Sequence, residues 1–256
     1  MQCSPKIKEY LSRRHSRGDK ERKGGKYKHH ADSAFDIDFF VRILRDKSLN
    51  AVVPKSRLRY RIADNTVMNT TSREAESIRA GLMMFNRSGD IRLFVAQGTE
   101  GELEEYRQRG FRYAVANFGL YYDVNMGIGK VGHANGLVFD LQRRRIERYE
   151  PLGSMRCPVA EDGQVLDKQL ARLFRKQFLG WTYKGIDSAP LFGPQLRGDI
   201  HQGSCVTWSA FLVLNRLLNP QLSMKEVYEC AGDGTPEELR RRIKRFQRFM
   251  IDTLRA

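Results

Sequence analysis

His133-Ala134-Asn135-Gly136-Leu137-Val138-Phe139-Asp140-Leu141-Gln142-Arg143-Arg144-Arg145-Ile146-Glu147-Arg148-Tyr149-Glu150 decides the architecture of this chain. Ala134 to Leu141 and Arg145 to Tyr149 carry the β-branched and aromatic residues of strands, among them Val138, Phe139, Ile146 and Tyr149. The polar triplet Gln142-Arg143-Arg144 predicts a turn between them, and so a hairpin. Antiparallel pairing brings the outer ends of a hairpin together, so His133 and Glu150 are expected side by side across the ladder. A carboxylate there can accept one ring N–H and orient the imidazole. Asn135, two positions on, shares the face of His133 and is the alternative orienting group. Asp140, at the far end of its strand, reads as a turn residue.

Upstream, Phe111 to Phe118 reads as a strand that extends toward Tyr122, and the stretch Asp123 to Gly132, with Gly127, Gly129 and Gly132, as a loop delivering His133 to the strand mouth. Before that, the apolar cluster Phe35 to Leu44 predicts a short helix. Ser72-Arg73-Glu74-Ala75-Glu76 opens a second helix running toward Met84. Ile91 to Val95 is a short strand, and Glu102 to Arg109 a surface helix ended by Gly110. Downstream the chain is helical. Cys205 to Leu218 repeats its apolar residues at helical spacing and is stopped by Asn219-Pro220. Ser223-x-x-Glu226 and Thr235-Pro236-Glu237-Glu238 are capping boxes that start two further helices, the second with Pro at its first position. Strands followed by a helical tail give an α+β fold, a mixed or antiparallel sheet flanked by helices. The expected organisation is a basic arm over 1–32, a helical or mixed region over 33–110, and a catalytic core over 111–256.

The chemistry centres on Cys205. A thiol is a weak nucleophile at neutral pH until its thiolate is stabilised, and a helix N-terminus and a neighbouring imidazolium both do this. Cys205 falls at the first turn of its helix, directly after Gly203-Ser204. Backbone N–H groups there can favour the thiolate and later hold an oxyanion. The ordinary reading, a buried inert thiol at a helix start, stands beside this one. Of the five histidines, His15, His29 and His30 lie in the basic arm, and His201 lies beside Cys205 on one loop, from which it can reach the sulfur only awkwardly; His133 is the better base. Trp208 and Tyr149 read as core.

The 256 residues suffice for a large domain, and no run approaches the length of apolar chain that a membrane helix needs. The start, Met1 to Lys6, lacks the apolar stretch of a secretory signal, so the protein is expected to be soluble and intracellular. Cys3, Cys157, Cys205 and Cys230 form no Cys-x-x-Cys pair, which argues against a disulfide framework or a cysteine zinc site; no metal or cofactor is expected. The net charge is +15, and residues 1–30 hold ten Lys and Arg against three acids. Such a segment reads either as a solvated tail or as an arm for nucleic acid or another polyanion. Arg240-Arg241-Arg242-Ile243-Lys244-Arg245 reads as a charged helix face.

The hairpin, with Glu150-Pro-Leu-Gly at its end, resembles that of the SUMO-specific (ubiquitin-like-protein) cysteine proteases, in which a His begins a strand and the acidic residue follows before Leu-Gly. Gly193-Pro194-Gln195 and Gln202-Gly203-Ser204-Cys205-Val206-Thr207-Trp208-Ser209 resemble that family's oxyanion Gln and helix-opening Cys. The combination is most similar to variants in large DNA viruses, and the adenoviral protease has a related His-Glu-Gln-Cys order. The likeness covers roughly residues 111–220. Ala134 replaces the family's Trp, and Glu150 its Asp. Gln195 lies ten positions before the Cys and Gln202 three, against the family's six or seven. Gln195 is favoured, because three residues leave little chain for an amide to turn back beside the thiol, and a longer loop is readily absorbed.

The resemblance implies a papain-like fold, a Cys205–His133–Glu150 triad with Gln195 at the oxyanion, and a monomer without cofactor. It also implies a protein substrate cleaved after a small residue such as Gly, either a viral precursor or a ubiquitin-like tail, in a host cytoplasm or virion. It further suggests nucleic acid as partner of the basic arm, since the adenoviral enzyme moves along DNA. Two other readings use the same residues differently: an acetyltransferase with the same triad, and a non-enzymatic basic structural protein that binds nucleic acid.

Overall fold

The structure, a computed structural model, describes residues 9–10, 39–54, 60–63, 66–69, 81–87, 90–94, 98–123, 130–154, 163–198 and 204–255. Its strands are β1 (Ala51–Val52), β2 (Tyr60–Ala63), β3 (Thr66–Asn69), β4 (Gly81–Arg87), β5 (Asp90–Phe94), β6 (Tyr113–Asp123), β7 (Lys130–Asp140), β8 (Arg145–Tyr149) and β9 (Thr182–Lys184). Seven of them form one sheet in the order β5-β4-β6-β7-β8-β9, with β1 also beside β6, and β2 pairs with β3 apart from it. The β4–β6, β1–β6 and β8–β9 pairs are parallel and the other pairs antiparallel. Around this mixed sheet lie α1 (Thr99–Gln108), α2 (Gly163–Gln177), α3 (Pro194–Gly198), α4 (Cys205–Leu218), α5 (Met224–Gly232) and α6 (Pro236–Arg255). The fold class is α+β.

The hairpin forms where its sequence puts it. Asp140 accepts the N–H of Arg143 at 3.1 Å, an Asx-type closure of the turn, and Arg144 completes it with φ 46°. On one face of β7, helix α4 lies against the strand, because Gly136 has no side chain. A Cβ there would meet Val213 Cγ2 at 2.4 Å. On this side Trp208, Phe211, Val213 and Leu214 of α4 join Val138, Tyr149, Val227, Ile243 and Phe246 in the main core. On the other face, α2 and the chain after it cover the sheet through Phe118–Phe174, Phe139–Phe178 and Phe139–Trp181 ring contacts. Helix α2 is absent from the sequence expectations, although Asp167, Leu170 and Phe174, spaced three and four apart, are its buried side, and Phe178 just past its end continues the spacing.

Both capping boxes form. Ser223 and Glu226 satisfy each other's backbone N–H, at 3.3 and 2.7 Å, and Thr235 and Glu238 do the same at the same distances. Helix α4 begins at Cys205, as the sequence indicates. Residues 39–43 are helical, with Phe39 packed on Phe246 and Phe249; the start of the expected helix, Phe35 to Asp38, lies outside the described residues. The helix expected from Ser72 toward Met84 is corrected in part. Gly81–Arg87 is strand β4, parallel to β6, while 72–80 lies outside the described residues. Pairing with β6 on one side and β5 on the other decides that segment over its local propensity. Residues 51–52, 81–87 and 90–94 thus extend the same sheet that carries the hairpin.

Arg216, near the end of α4, is fully buried and ties the helix to the hairpin. Its Nε donates to Glu147 Oε2 at 2.7 Å and its second terminal nitrogen to Oε1 at 3.2 Å. Asp140 stands 3.7 Å away, and the carbonyls of Pro220 and Leu222 each accept at 3.1 Å.

Candidate active site

Helix α4 starts without a side-chain cap from Ser204, so its first-turn N–H groups are not consumed by a capping oxygen. Cys205 sits there half-buried, its thiol beside the His133 ring and the backbone of Ala134 and Val206. Burial pushes the thiol pKa up, but the hydrogen bond and charge of His133, aided by the backbone groups, outweigh it and bring the pKa below its ordinary value. Ser209, one helical turn on, donates to the carbonyl of Ala134 at 2.9 Å and pins helix to strand beside the sulfur.

His133 is 5% exposed. Its Nε2 meets Glu150 Oε1 at 2.5 Å, which leaves Nδ1 uncommitted to the carboxylate. Burial alone would lower the imidazole pKa. The Glu150 carboxylate and the thiol overcome that and raise it to about 10. The structure corrects two details of the expected geometry. Strand β7 begins at Lys130, so His133 lies inside the strand rather than at its mouth; of the loop expected over 123–132, Asp123 belongs to β6 and 130–132 to β7, and 124–129 lies outside the described residues. The register pairs Gly136 with Tyr149, so Glu150 continues the ladder opposite Asn135 and reaches His133 diagonally. Asn135 is fully buried, and neither of its amide atoms has a hydrogen-bond partner among the described residues.

Glu150 is held from several directions. Its Oε1 also accepts the N–H of Leu152 at 3.0 Å. The Tyr228 hydroxyl accepts the Glu150 N–H at 2.6 Å and donates to its carbonyl at 3.2 Å, so α5 clamps the backbone of the acid. The sequence reading does not single out Tyr228; its spacing from Val227 and Ala231 marks it as a core residue and nothing more.

Gln195 lies on α3, and its backbone N–H donates to the carbonyl of Pro151 at 3.0 Å, one residue past the acid. The two loops interlock through glycines. A Cβ on Gly153 would come within 2.4 Å of the Gly193 nitrogen, and one on Gly193 within 2.3 Å of the Pro151 oxygen. Gln195 is 6% exposed and its Oε1 has no partner among the described residues. Residues 199–203, with His201 and Gln202, lie outside the described residues, as do Cys3 and Cys157.

The structure therefore brings Cys205, His133 and Glu150 together, with the imidazole hydrogen-bonded to the carboxylate, and ties Gln195 to the turn behind the acid. Among the described residues no group of three or more His, Cys, Asp and Glu side chains could hold a metal ion, and no helix is long and apolar enough to cross a membrane. A lowered thiol beside a raised imidazole is an arrangement for nucleophilic attack.

No family model matches the chain, and no curated protein matches it. Two solved structures of the Chlamydia trachomatis effector protein ChlaDUB1 are similar to it. One aligns at a TM-score of 0.37 and 13% identity, over 58% of this chain and 61% of that one. The other aligns at 0.42 and 11%, over 92% and 96%. This chain thus spans about three fifths of the length of the first. Likenesses this distant leave the chemistry to the geometry of the site itself.

Proposed function

We propose that the chain is a thiol peptidase with Cys205 as nucleophile, His133 as general base and acid, and Glu150 as the orienting carboxylate. The observation that carries this reading is the run from thiol to imidazole to buried carboxylate, the last two hydrogen-bonded, with the sulfur at an uncapped helix N-terminus. In the resting pair the thiol proton sits on His133 and the sulfur is a thiolate. The thiolate attacks a peptide carbonyl carbon and forms a C–S bond, while the carbonyl oxygen takes the negative charge. The N–H of Cys205 and the amide of Gln195 hold that oxyanion. The intermediate collapses, the C–N bond breaks, and His133 gives its proton to the leaving amine. Water, deprotonated by the now neutral imidazole, then hydrolyses the thioester and returns the proton. The substrate class follows from the motif resemblance alone: a protein cleaved after a small residue such as Gly, as in a ubiquitin-like tail or a viral precursor.

The test is release of the amine product from Gly-Gly-x peptides and ubiquitin-like tails by wild type and Cys205→Ala. Turnover by wild type that the substitution abolishes is expected. Acetylation of a protein with acetyl-coenzyme A, without peptide release, would replace this reading by the transferase one.

The same proposal extends to a nucleic-acid partner. Besides the ten Lys and Arg of residues 1–30, α6 carries Arg241, Lys244, Arg245 and Arg248 exposed along one side. Its opposite side is buried by Leu239, Ile243, Phe246 and Phe249. With that apolar side committed to the core, the helix has no face to insert into a bilayer, and evenly spaced phosphates fit its cations better. Tyr10 packs edge-on against Phe249, so the tests should substitute the arm and not delete it. Changing the eight Lys and Arg between positions 13 and 28 to Gln is expected to weaken duplex DNA binding and flatten its dependence on salt. Unchanged binding would remove the arm from this role.

A further inference from the structure

Behind Glu150 lies a second charged pair that the proposed chemistry has not used. Arg148 precedes the acid by two positions on β8 and is 1% exposed, as is Glu150. One terminal nitrogen of its guanidinium stands 3.7 Å from Glu150 Oε2, the carboxylate oxygen that makes no hydrogen bond among the described residues. The other donates to Asp167 Oδ1 on α2 at 3.2 Å. Asp167 is itself fixed. The Tyr183 hydroxyl donates to Oδ1 at 2.7 Å and the Ile186 N–H to Oδ2 at 3.1 Å. The backbone of Gly185 presses so close that a Cβ there would overlap the carboxylate. Charges thus alternate through the interior from Cys205 to His133, Glu150, Arg148 and Asp167. Removing the guanidinium would leave two buried carboxylates with no cation between them. It would also leave Glu150 free to turn about its last bond, because only Oε1 is otherwise held.

We propose that Arg148, anchored by Asp167, is a positioning residue that fixes the Glu150 carboxylate against His133 and thereby sets the reactivity of Cys205. This role rests on the thiol-peptidase reading. It also gives α2, on the far face of the sheet from α4, a part in the chemistry. A purely structural role, joining α2 to β8, makes a different prediction: lower stability with the thiol chemistry untouched.

The experiment reads the pH dependence of iodoacetamide alkylation at Cys205, with Cys230 as internal comparison, in wild type, Arg148→Met, Arg148→Lys and Asp167→Asn. Thermal unfolding of each variant is recorded alongside, and alkylation is run below every transition. Wild-type Cys205 should outpace Cys230 at and below neutral pH. In Arg148→Met the acid limb should move up by about one pH unit, a loss of about tenfold in rate on that limb. Arg148→Lys should recover part of the loss. Asp167→Asn, which keeps the shape of the anchor and loses its charge, should shift the limb the same way by less, and it decides the matter if Arg148→Met does not fold. Lower unfolding temperatures with a profile superimposable on wild type would overturn the positioning role while leaving the peptidase reading intact. Wild-type Cys205 reacting no faster than Cys230 would overturn both.

Discussion

In a His133→Ala variant, kcat/KM for peptide cleavage is expected to fall on the order of 10⁴-fold, because one ring serves as proton acceptor, proton donor and counter-charge. The pH profile identifies which of these is lost. The His133 pKa is raised to about 10, so the fold favours the imidazolium fully below the ordinary value of 6.5 and loses that stabilisation as pH rises through about 10. The Cys205 pKa is lowered from 9.0, so the thiolate is favoured above that ordinary value and the gain is lost as pH falls through the lowered one. The ion pair therefore exists between the lowered thiol value and about 10. Wild-type activity should rise through the first, hold, and fall near the second as the leaving amine loses its proton donor. In His133→Ala the thiol limb moves up toward the ordinary value, and alkylation of Cys205 at neutral pH slows with it. A variant that alkylates with the wild-type profile would show that the imidazole does not govern the sulfur.

The largest effect on stability is expected from Arg216→Met. The replacement fills much of the side-chain volume but removes the fully buried cation beside Glu147 and Asp140, which are both fully buried themselves, and leaves Asp140, among the described residues, only Arg145 and Arg143 at 3.8 and 3.9 Å. Arg145 still lies 2.5 Å from Glu147, and Tyr149 still donates to it at 2.9 Å. The carbonyl of Leu222 loses its donor, while that of Pro220 keeps the Arg112 guanidinium at 3.1 Å. Breaking one side of a buried ion pair typically costs about 3–5 kcal/mol, measurable by urea denaturation. The acid limb of the stability curve adds a check. Burial pushes the Glu147 pKa up, and Arg216 and Arg145 pull it below its ordinary 4.5. Its stabilisation is complete above that value and is lost as pH falls through the lowered one. In Arg216→Met this loss should begin at higher pH. A variant as stable as wild type at neutral pH, with the same acid limb, would mean that the hairpin and α4 hold together without the guanidinium.

The parts of the fold legible in sequence are those written in local chemistry. Ser223 and Thr235 mark helix starts because their hydroxyls must reach an N–H three residues on, and Cys205 opens α4 after Gly203-Ser204. Strand-forming side chains and an Asp-led turn mark the hairpin. Residues Gly81–Arg87 carry no such mark, since their strand character comes from the neighbours β5 and β6. The candidate site is legible as residues but not as a register. The stretch from His133 to Glu150 places the two ends near each other, yet the turn occupies 141–144, and that puts the acid diagonally across from the imidazole. Arg148 and Asp167 are invisible for a different reason. An arginine on a strand and an aspartate on a helix look like surface charges until the sheet is closed by α2, and only the assembled interior turns them into partners.

Gly136 ties these observations to the sulfur. Its missing methyl lets α4 settle against β7 at Val213, and the helix carries that depth as a stiff rod back to Cys205, about two turns away. The spacing between thiol and imidazole is thus calibrated by a hydrogen atom at a buried position three residues from His133. Any larger group there would act as a shim, tilting the rod and mis-setting a distance whose own two residues were unchanged.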